Sequence, residues 1–246
     1  MARKHVPAMG AALVAVLLIS GAYAAGPRVV SSSEEGIVVV YRPGAAVHGR
    51  VTIGDSEYTT LYVEGSDAMG VPGAPDVPVV RLTLAVPDCR DIELAVSTSG
   101  SSTRQGVRVL PALTTVEVGE GEVSRYEYVE GEPYAREGLW PRAAASMTEP
   151  RWLSRQRVVH IEFHPCQVDP VRGTSVSHDA IEVSLTFHGV RSHTPPRRTS
   201  ERWERLYRSA LANYESGRAW RTRPGPARGR ADEYFDTSSN WLKLTV

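Results

Sequence analysis

The sequence lacks the patterns that mark several large classes of protein. It has no Gly-x-Ser-x-Gly nucleophile elbow, no glycine-rich phosphate loop and no internal repeat. Basic and acidic side chains balance at 28 each, so overall charge gives no reason to expect nucleic acid as a partner. The longest apolar run is shorter than the roughly 20 residues that a membrane-spanning helix needs. Nothing in the sequence therefore indicates a catalytic centre or a cofactor.

Cysteine is also scarce. Cys89 and Cys166 are the only two in the chain, and their separation is not that of paired metal ligands. The chain is long enough to bury a core without crosslinks. In an exported protein an even cysteine count permits a disulfide, whereas a free buried cysteine packs as a small apolar residue. The sequence leaves both interpretations of this pair open.

The longest apolar run lies near the N-terminus. Residues 13–19 are entirely apolar, follow the basic pair Arg3 and Lys4, and lead to the small residues Ala22 and Ala24. This order is typical of a secretory signal peptide. We predict a signal peptide over residues 1–24 and a mature protein that is secreted, to the extracellular space or the bacterial cell envelope, with no membrane span. A retained N-terminal anchor is the alternative.

Residues 36–190 show a strand-like pattern. Apolar residues recur at every second position, and Gly, Pro, Asp or Ser interrupts them every few residues. This alternation is typical of antiparallel strands with one buried and one exposed face. We therefore predict a mainly β fold, an antiparallel β-sandwich over residues 25–195. The predicted strands are Ile37–Tyr41, Tyr58–Val63, Val77–Val86, Ile92–Thr98, Val107–Leu110, Val158–Phe163 and Ile181–Phe187.

The pattern changes after a proline-rich stretch at residues 193–200. From Glu201 onward, apolar side chains fall on one stripe of a helix, and Ser200 has the chemistry of an N-terminal cap. We predict a linker and a C-terminal amphipathic helix over residues 196–217, ended by Gly217. The stripe requires a protein surface on which to pack.

Basic charge concentrates near the C-terminus. Eleven arginines and only three acidic residues lie between Arg191 and Arg230. Residues 218–237 combine this charge with proline and glycine, which favours an exposed connector without regular structure. Nucleic acid or an anionic surface could bind such a segment, but the aromatic stripe beside it favours docking on protein. Residues 238–246 alternate like a new strand, and we expect a further domain to begin there.

Four segments of the chain carry motifs that occur in a known order. They are the strand entry Gly70–Pro87, the strand and turn Arg157–Pro170, the helical Leu211–Tyr214 with Ala219–Arg221, and the strand-like Trp241–Val246. Together they resemble the propeptide of gingipain-type cysteine peptidases. Residues 100–147 match no motif of that family. The resemblance implies a β-sandwich prodomain that keeps a following peptidase domain latent, assists its folding and is removed by proteolysis.

The resemblance also implies partners and functional residues. The partners are the cognate peptidase domain in cis and an activating protease that cuts the connector. The implied cleavage points are Arg223, Arg228 and Arg230. A basic residue on a loop is expected to block the peptidase cleft, and Arg136 and Arg142 are the candidates. Any cysteine-type endopeptidase activity would belong to the domain that follows, not to this chain.

Two other patterns are weaker. His188 precedes a glycine at a strand end, as the catalytic histidine of such peptidases does, but both cysteines precede it, whereas the nucleophile should follow. His160, His164 and Cys166 share one face of a strand, but at strand rise about 13 Å separates the two histidines, too far for one metal ion. We predict no metal site.

A function of another class remains as the alternative. An exported β-sandwich can also be an adhesion or glycan-binding module. Its contacts would be exposed aromatic rings, for which Trp140, Trp152 and the pair Tyr126 and Tyr128 are the candidates. A peptidase domain following this chain would indicate the propeptide, and repeated sandwiches would indicate the adhesion module.

Overall fold

The computed structural model describes residues 26–116, 125–191 and 199–221. Within them the chain forms strands, one short 3-10 helix and two α-helices near the C-terminal end. The strands are β1 Arg28–Ser32, β2 Gly36–Tyr41, β3 Val47–Ile53, β4 Ser56–Tyr62, β5 Asp67–Ala68, β6 Pro78–Val86, β7 Asp91–Gln105, β8 Leu113–Val116, β9 Arg125–Tyr128, β10 Ala145–Met147, β11 Arg151–Leu153, β12 Gln156–Phe163, β13 Cys166–Asp169 and β14 Thr174–His188. The helices are the 3-10 helix Glu132–Ala135, α1 Glu201–Ala210 and α2 Tyr214–Ala219.

The first sheet is built around β14. One edge of β14 pairs antiparallel with β7 along its whole length, from Thr174 to His188. Its other edge pairs with β13 near the start of the strand and with β2 over Ile181–Thr186. β1 then pairs with the outer edge of β2. A single strand therefore sets the register of most of this sheet.

The second sheet is built around β12. Its central pair is β12 with β6, which align antiparallel from Arg157 opposite Val86 to Phe163 opposite Val80. The other edge of β12 pairs with β10 and β11, and β5 pairs with β6. Two smaller hairpins, β3 with β4 and β8 with β9, complete the described strands.

The main core lies between the two sheets. Alternate side chains of β2 and β14 face it, and the ring of Tyr41 on β2 meets the ring of Phe163 on β12 edge to face, with centroids 5.5 Å apart. The alternation therefore places one face of each sheet inward, and the predicted antiparallel β-sandwich is confirmed. Burial of these apolar faces is the main contribution to stability.

Most predicted strands occur, but the limits differ. Six of the seven overlap a strand of the structure, and the prediction of a strand at Val107–Leu110 is wrong. There the chain makes an isolated parallel bridge, Thr59 with Val109, and Val107 and Val109 enter a second small core instead of a sheet. The unpredicted strands are mostly short or largely exposed, so their alternation is weak.

The C-terminal helical segment is two helices, not one. Ser200 caps α1, accepting a hydrogen bond from the backbone N–H of Trp203, as predicted. The helix ends at Ala210, where the amide of Ala212 turns to donate to the carbonyl of Thr83 on β6. The prediction that Gly217 ends the helix is wrong, because Gly217 lies inside α2. No helix among the described residues is long and apolar enough to span a bilayer.

Asn213 explains the break between the helices. Its side-chain oxygen accepts from the amide of Ala85 at 2.8 Å, and its side-chain nitrogen donates to the carbonyl of Ala85 at 2.9 Å. The same nitrogen donates to Ser32 on β1. The two helices are thus tied to strands of both sheets.

Gly217 offers a test of how closely α2 approaches β6. A Cβ at this position would overlap the Cβ of Ala85. We expect Gly217→Ala to destabilise the fold by about 1–3 kcal/mol through overpacking, although alanine is the better helix former. Adding Ala85→Gly removes the opposing Cβ and should recover part of the loss in chemical denaturation. A double variant with no recovery would contradict this packing.

Candidate functional site

Residues 138–144, the Arg142 loop, connect the region of the 3-10 helix to β10. The loop lies along the free edge of β13. Trp140 and Val168 exchange two backbone hydrogen bonds there, of 2.7 and 2.8 Å. The loop therefore starts as an extension of the first sheet rather than as a free surface segment.

A buried amide fixes the next residue of the loop. Gln167 donates from Nε2 to the carbonyl of Pro141 at 2.6 Å. Its Oε1 accepts from Nε2 of His178 at 2.7 Å, so the amide cannot rotate without losing both bonds. Both side chains are buried, and the pair holds the loop to β13 and β14.

His164 fixes the far side of the loop. Its Nδ1 donates to the carbonyl of Ala143 at 2.9 Å, and its backbone amide donates to the carbonyl of Ala144 at 2.8 Å. The carbonyls that flank Arg142 on both sides therefore accept hydrogen bonds from the body of the domain. Such a backbone has little conformational freedom left to lose on binding.

Asp169 holds the entrance of the loop. Its carboxylate accepts from the amide of Gly138 at 3.2 Å and from the amide of Arg172 at 3.0 Å. The Arg172 guanidinium lies between Asp169 and Glu137. This buried carboxylate thus has a counter-charge and bonds to the backbone, as a buried anion requires.

Burial sets the protonation of the two histidines. Nε2 of His164 and Nδ1 of His178 are buried, with no hydrogen-bond partner in the described part of the chain. Burial lowers the pKa of both side chains below the ordinary value of 6.5. Because each ring already donates from its other nitrogen, each is neutral at pH 7 and donates one bond to the loop or its support.

The two candidate cleft-blocking arginines have different surroundings. Arg142 is exposed at the turn of the loop and makes no ion pair with any described residue. Arg136 follows the 3-10 helix, and its guanidinium pairs with Glu132 one turn earlier. Within the described part of the chain, Arg142 therefore presents an unpaired cation on a hydrogen-bonded backbone, whereas the cation of Arg136 is already partly neutralised.

The residues that hold the loop were not predicted from the sequence. His164, Gln167 and Asp169 lie in the segment 157–170, whose motif carried the family resemblance. Their spacing, with every second residue on the same face of a strand, could have assigned Gln167 and Asp169 to one side of β13. Nothing in the sequence shows that this side faces a loop centred on Arg142.

Both cysteines are free thiols in the structure, so the disulfide that the sequence permitted is not formed. Cys89 is buried beside Arg157, whose guanidinium donates to its carbonyl at 2.7 Å. Cys166 is buried on β13, with its sulfur 3.4 Å from the Ser177 hydroxyl. Burial raises the pKa of both thiols, so they are protonated packing residues with little nucleophilic character.

The histidines considered as metal ligands or as a catalytic residue do not lie together in one site. Among the described residues, no group of three potential metal ligands lies together. His160 faces Thr83 on β6, whereas His164 faces the Arg142 loop. His188 lies beside the exposed carboxylate of Glu93. These contacts give each histidine a local partner on a different element.

The aromatic candidates for glycan contact lie on separate elements. Tyr126 and Tyr128 are exposed on β9, and Trp152 is partly exposed on β11. Trp140, a residue of the Arg142 loop, packs against the second small core. The predicted signal cleavage at Ala22 and Ala24 and the predicted processing arginines Arg223, Arg228 and Arg230 lie outside the described residues.

The buried histidines predict a pH dependence of stability. Below pH 6.5 the unfolded chain gains protons on His164 and His178, whereas the folded chain does not until their lowered pKa values are reached. The free energy of unfolding should therefore fall as pH falls below 6.5. We expect a lower melting temperature at pH 5.5 than at pH 7.5.

A variant locates this effect. His164→Asn keeps a donor near the position of Nδ1 but removes the titrating ring, so the change in melting temperature between the two pH values should become smaller. Burial also lowers the pKa of His48 and His160, so part of the change should remain. The matched control is His188→Asn, an exposed residue away from the loop. An equal effect of both variants would contradict this role of His164.

Comparison with known proteins agrees with this architecture. The family model Propeptide_C25 matches residues 24–219. Gingipain R1 of Porphyromonas gingivalis is 26% identical over 159 residues, which is 64% of this chain and 16% of that protein. Gingipain R2 of the same organism is 25% identical over 150 residues, which is 59% of this chain and 20% of that protein. The chain thus spans less than a quarter of the length of these relatives.

Two solved structures share the fold. A complex of the Porphyromonas gingivalis RgpB pro- and mature domains matches with a TM-score of 0.63 at 21% identity, covering 78% of this chain and all of the matched chain. A structure described as giving insight into the zymogenic latency of gingipain K, from the same organism, matches with a TM-score of 0.54 at 17% identity, covering 68% of this chain and 94% of the matched one. The β-sandwich with two C-terminal helices belongs to the Propeptide_C25 family, the propeptides of gingipain-type peptidases.

Proposed function

We propose that this domain is the latency module and folding aid of an exported gingipain-like cysteine endopeptidase precursor. The observation that carries the proposal is the Arg142 loop, which presents an exposed cation with no ion pair to any described residue, between two carbonyls that accept hydrogen bonds from the domain. Membership of the propeptide family supports the same role. The partner is the peptidase domain of the same precursor, fused in cis.

A fixed loop suits a domain that must occupy a peptidase cleft. Binding a flexible segment costs the free energy of ordering it, and pre-organised inhibitors avoid most of this cost. Fusion in cis adds an effective concentration of up to the millimolar range, so modest affinity is enough for latency. Proteolysis of the connector then removes the tether, and the effective concentration falls.

Arg142 is the residue that we place in the cleft. Its guanidinium is free of counter-charge among the described residues, so entry into an acidic pocket breaks no existing ion pair. Arg136 would first have to leave Glu132. Exposed ion pairs of this kind contribute little, so the fixed backbone is the stronger argument: Arg142 lies between the bound carbonyls of Pro141 and Ala143.

Inhibition in trans tests this assignment. The chain from residue 25 is added to the mature peptidase domain of the same precursor, and the inhibition constant is measured for the unchanged chain, Arg142→Ala and Arg136→Ala. We expect Arg142→Ala to weaken inhibition at least 30-fold, roughly 2 kcal/mol, as expected for a buried charged anchor, and Arg136→Ala to weaken it less than 3-fold. The reverse order would assign the cleft to Arg136, and unchanged inhibition by both would remove the loop from the mechanism.

The connector supplies the proposed processing sites. Arg223, Arg228 and Arg230 are candidates for an activating protease that cuts after arginine, but their following residues differ. Arg223 is followed by Pro224, whose ring fixes the backbone and removes the amide N–H at the bond to be cut. Glycine follows Arg228 and alanine follows Arg230. We therefore place processing at Arg228 and Arg230, with Arg223 cut slowly.

Limited digestion with trypsin checks this order. We expect the first stable product of the chain to end at Arg228 or Arg230, as measured by intact mass. Replacing both with glutamine should slow cleavage within the connector at least 10-fold, and adding Pro224→Ala to that double variant should restore a cut after Arg223. Early cuts within Val77–Phe187 would contradict a folded prodomain with an accessible connector.

A further inference from the structure

Arg221 is a buried arginine at the boundary between the domain and the connector. Only 2% of its surface is exposed, and it is the largest fully buried side chain in the described part of the chain. Arginine is rarely buried to this extent unless a counter-charge is present. The arginines before it on the two helices, Arg205, Arg208 and Arg218, are exposed, so this burial is not a general property of the segment.

Three side chains of the two helices hold Arg221, and we call them the arginine clasp: Glu204, Tyr207 and Tyr214. Nη1 of Arg221 donates to Oε1 of Glu204 at 2.6 Å. The guanidinium lies 4.5 Å from the ring centroid of Tyr207 and 5.4 Å from that of Tyr214. Aromatic faces attract a desolvated cation more strongly than they attract one in water.

The charge of Glu204 is secured within the clasp. Burial alone would raise its pKa, but hydrogen bonds from Tyr214 and Arg221 more than offset burial and hold the pKa below the ordinary range. The Tyr214 hydroxyl donates to Oε2 at 2.7 Å while Arg221 occupies Oε1. Each carboxylate oxygen therefore has its own donor, and the ion pair persists across neutral pH.

The clasp is also attached to the sandwich. The Tyr207 hydroxyl donates to the carbonyl of Leu153 on β11 at 3.0 Å. Trp220, directly before Arg221, packs edge to face on Phe187 of β14, with ring centroids 6.1 Å apart. Extraction of Arg221 would thus disturb packing on both sheets, not only one surface ion pair.

Proteolysis after an arginine requires two things of that residue. The side chain must leave the domain to enter the specificity pocket of the protease, and the backbone must adopt an extended form in the cleft. Arg221 fails the first requirement because its side chain is buried. Arg218 is exposed but lies within α2, so it fails the second.

We infer that the arginine clasp protects the Arg221–Thr222 bond from arginine-directed processing and fixes Arg221 as the protease-resistant end of the domain. This inference rests on the proposed cleavage of the connector. The fold thereby has a regulatory role, because the processing enzyme cannot cut after Arg218 or Arg221 and cuts only after later arginines of the connector. Both helices then stay with the sandwich after processing, where Tyr207 and Trp220 complete its core.

The test compares two acidic residues of α1. Glu204→Gln removes the counter-charge of Arg221, and Glu201→Gln is the matched control, since Glu201 is exposed in the first turn of the same helix. Each chain, from residue 25 to 246, is digested with trypsin, and the products are followed by intact mass. We expect cleavage after Arg221 to be at least 10-fold faster in Glu204→Gln than in the unchanged chain or in Glu201→Gln.

A second variant covers the case in which Glu204→Gln unfolds the helices. Tyr214→Phe keeps both rings of the clasp but removes the hydroxyl that orients Glu204, so it should raise cleavage after Arg221 by a smaller factor while melting cooperatively. Cleavage of the unchanged chain at Arg221 as fast as at Arg228 would overturn the inference, as would equal digestion of all variants. Failure of the latency proposal would appear as lost inhibition of the peptidase, which this mass analysis does not measure.

Discussion

The pairing of β14 is the constraint on which both the Arg142 loop and the arginine clasp depend. Its alternation buries Ile181, Val183 and Leu185 completely or nearly so, and its two edges carry three other strands. The start of β14 holds β13, and β13 holds the Arg142 loop. The end of β14 presents Phe187 to Trp220, beside the arginine clasp. A slip of one residue in this strand would turn its apolar face outward and displace the loop and the clasp together.

The Arg142 loop is held by buried polar groups rather than by apolar packing. This costs desolvation, and each group needs a partner to offset it. His164 and His178 leave one ring nitrogen unpartnered among the described residues, a cost that contributes nothing to the core. These bonds provide direction, because a hydrogen bond holds a carbonyl within a limited range of distance and angle, whereas apolar contacts are non-directional. These polar contacts thus hold the backbone on both sides of Arg142 to the body of the domain.

The sequence predicted the sheets better than the site. Alternation identified β2, β6, β12 and β14 because their inward faces are continuous and their registers are long. It failed at Val107–Leu110, where apolar residues enter a separate small core. It also failed to divide the C-terminal helix in two, because the break is made by hydrogen bonds between Asn213 and Ala85. Those failures share a cause: the deciding partner lies far away in the chain. The hydrogen bonds that hold the Arg142 loop likewise come from another part of the chain, whereas Arg221 is held by residues of the two helices just before it.

Arginine shows how the fold assigns opposite roles to one residue type. All but two of the 28 basic residues are arginines, so a protease that recognises arginine meets many chemically equal choices along the unfolded chain. In the folded domain they are no longer equal, because the tertiary structure buries some arginine side chains and leaves others exposed. Arg221 is buried and paired with Glu204, while Arg142 is exposed, has no ion pair among the described residues and lies between two carbonyls that are hydrogen-bonded to the domain. The difference in counter-charge and burial between Arg142 and Arg221 is thus created by the tertiary structure and not by residue type.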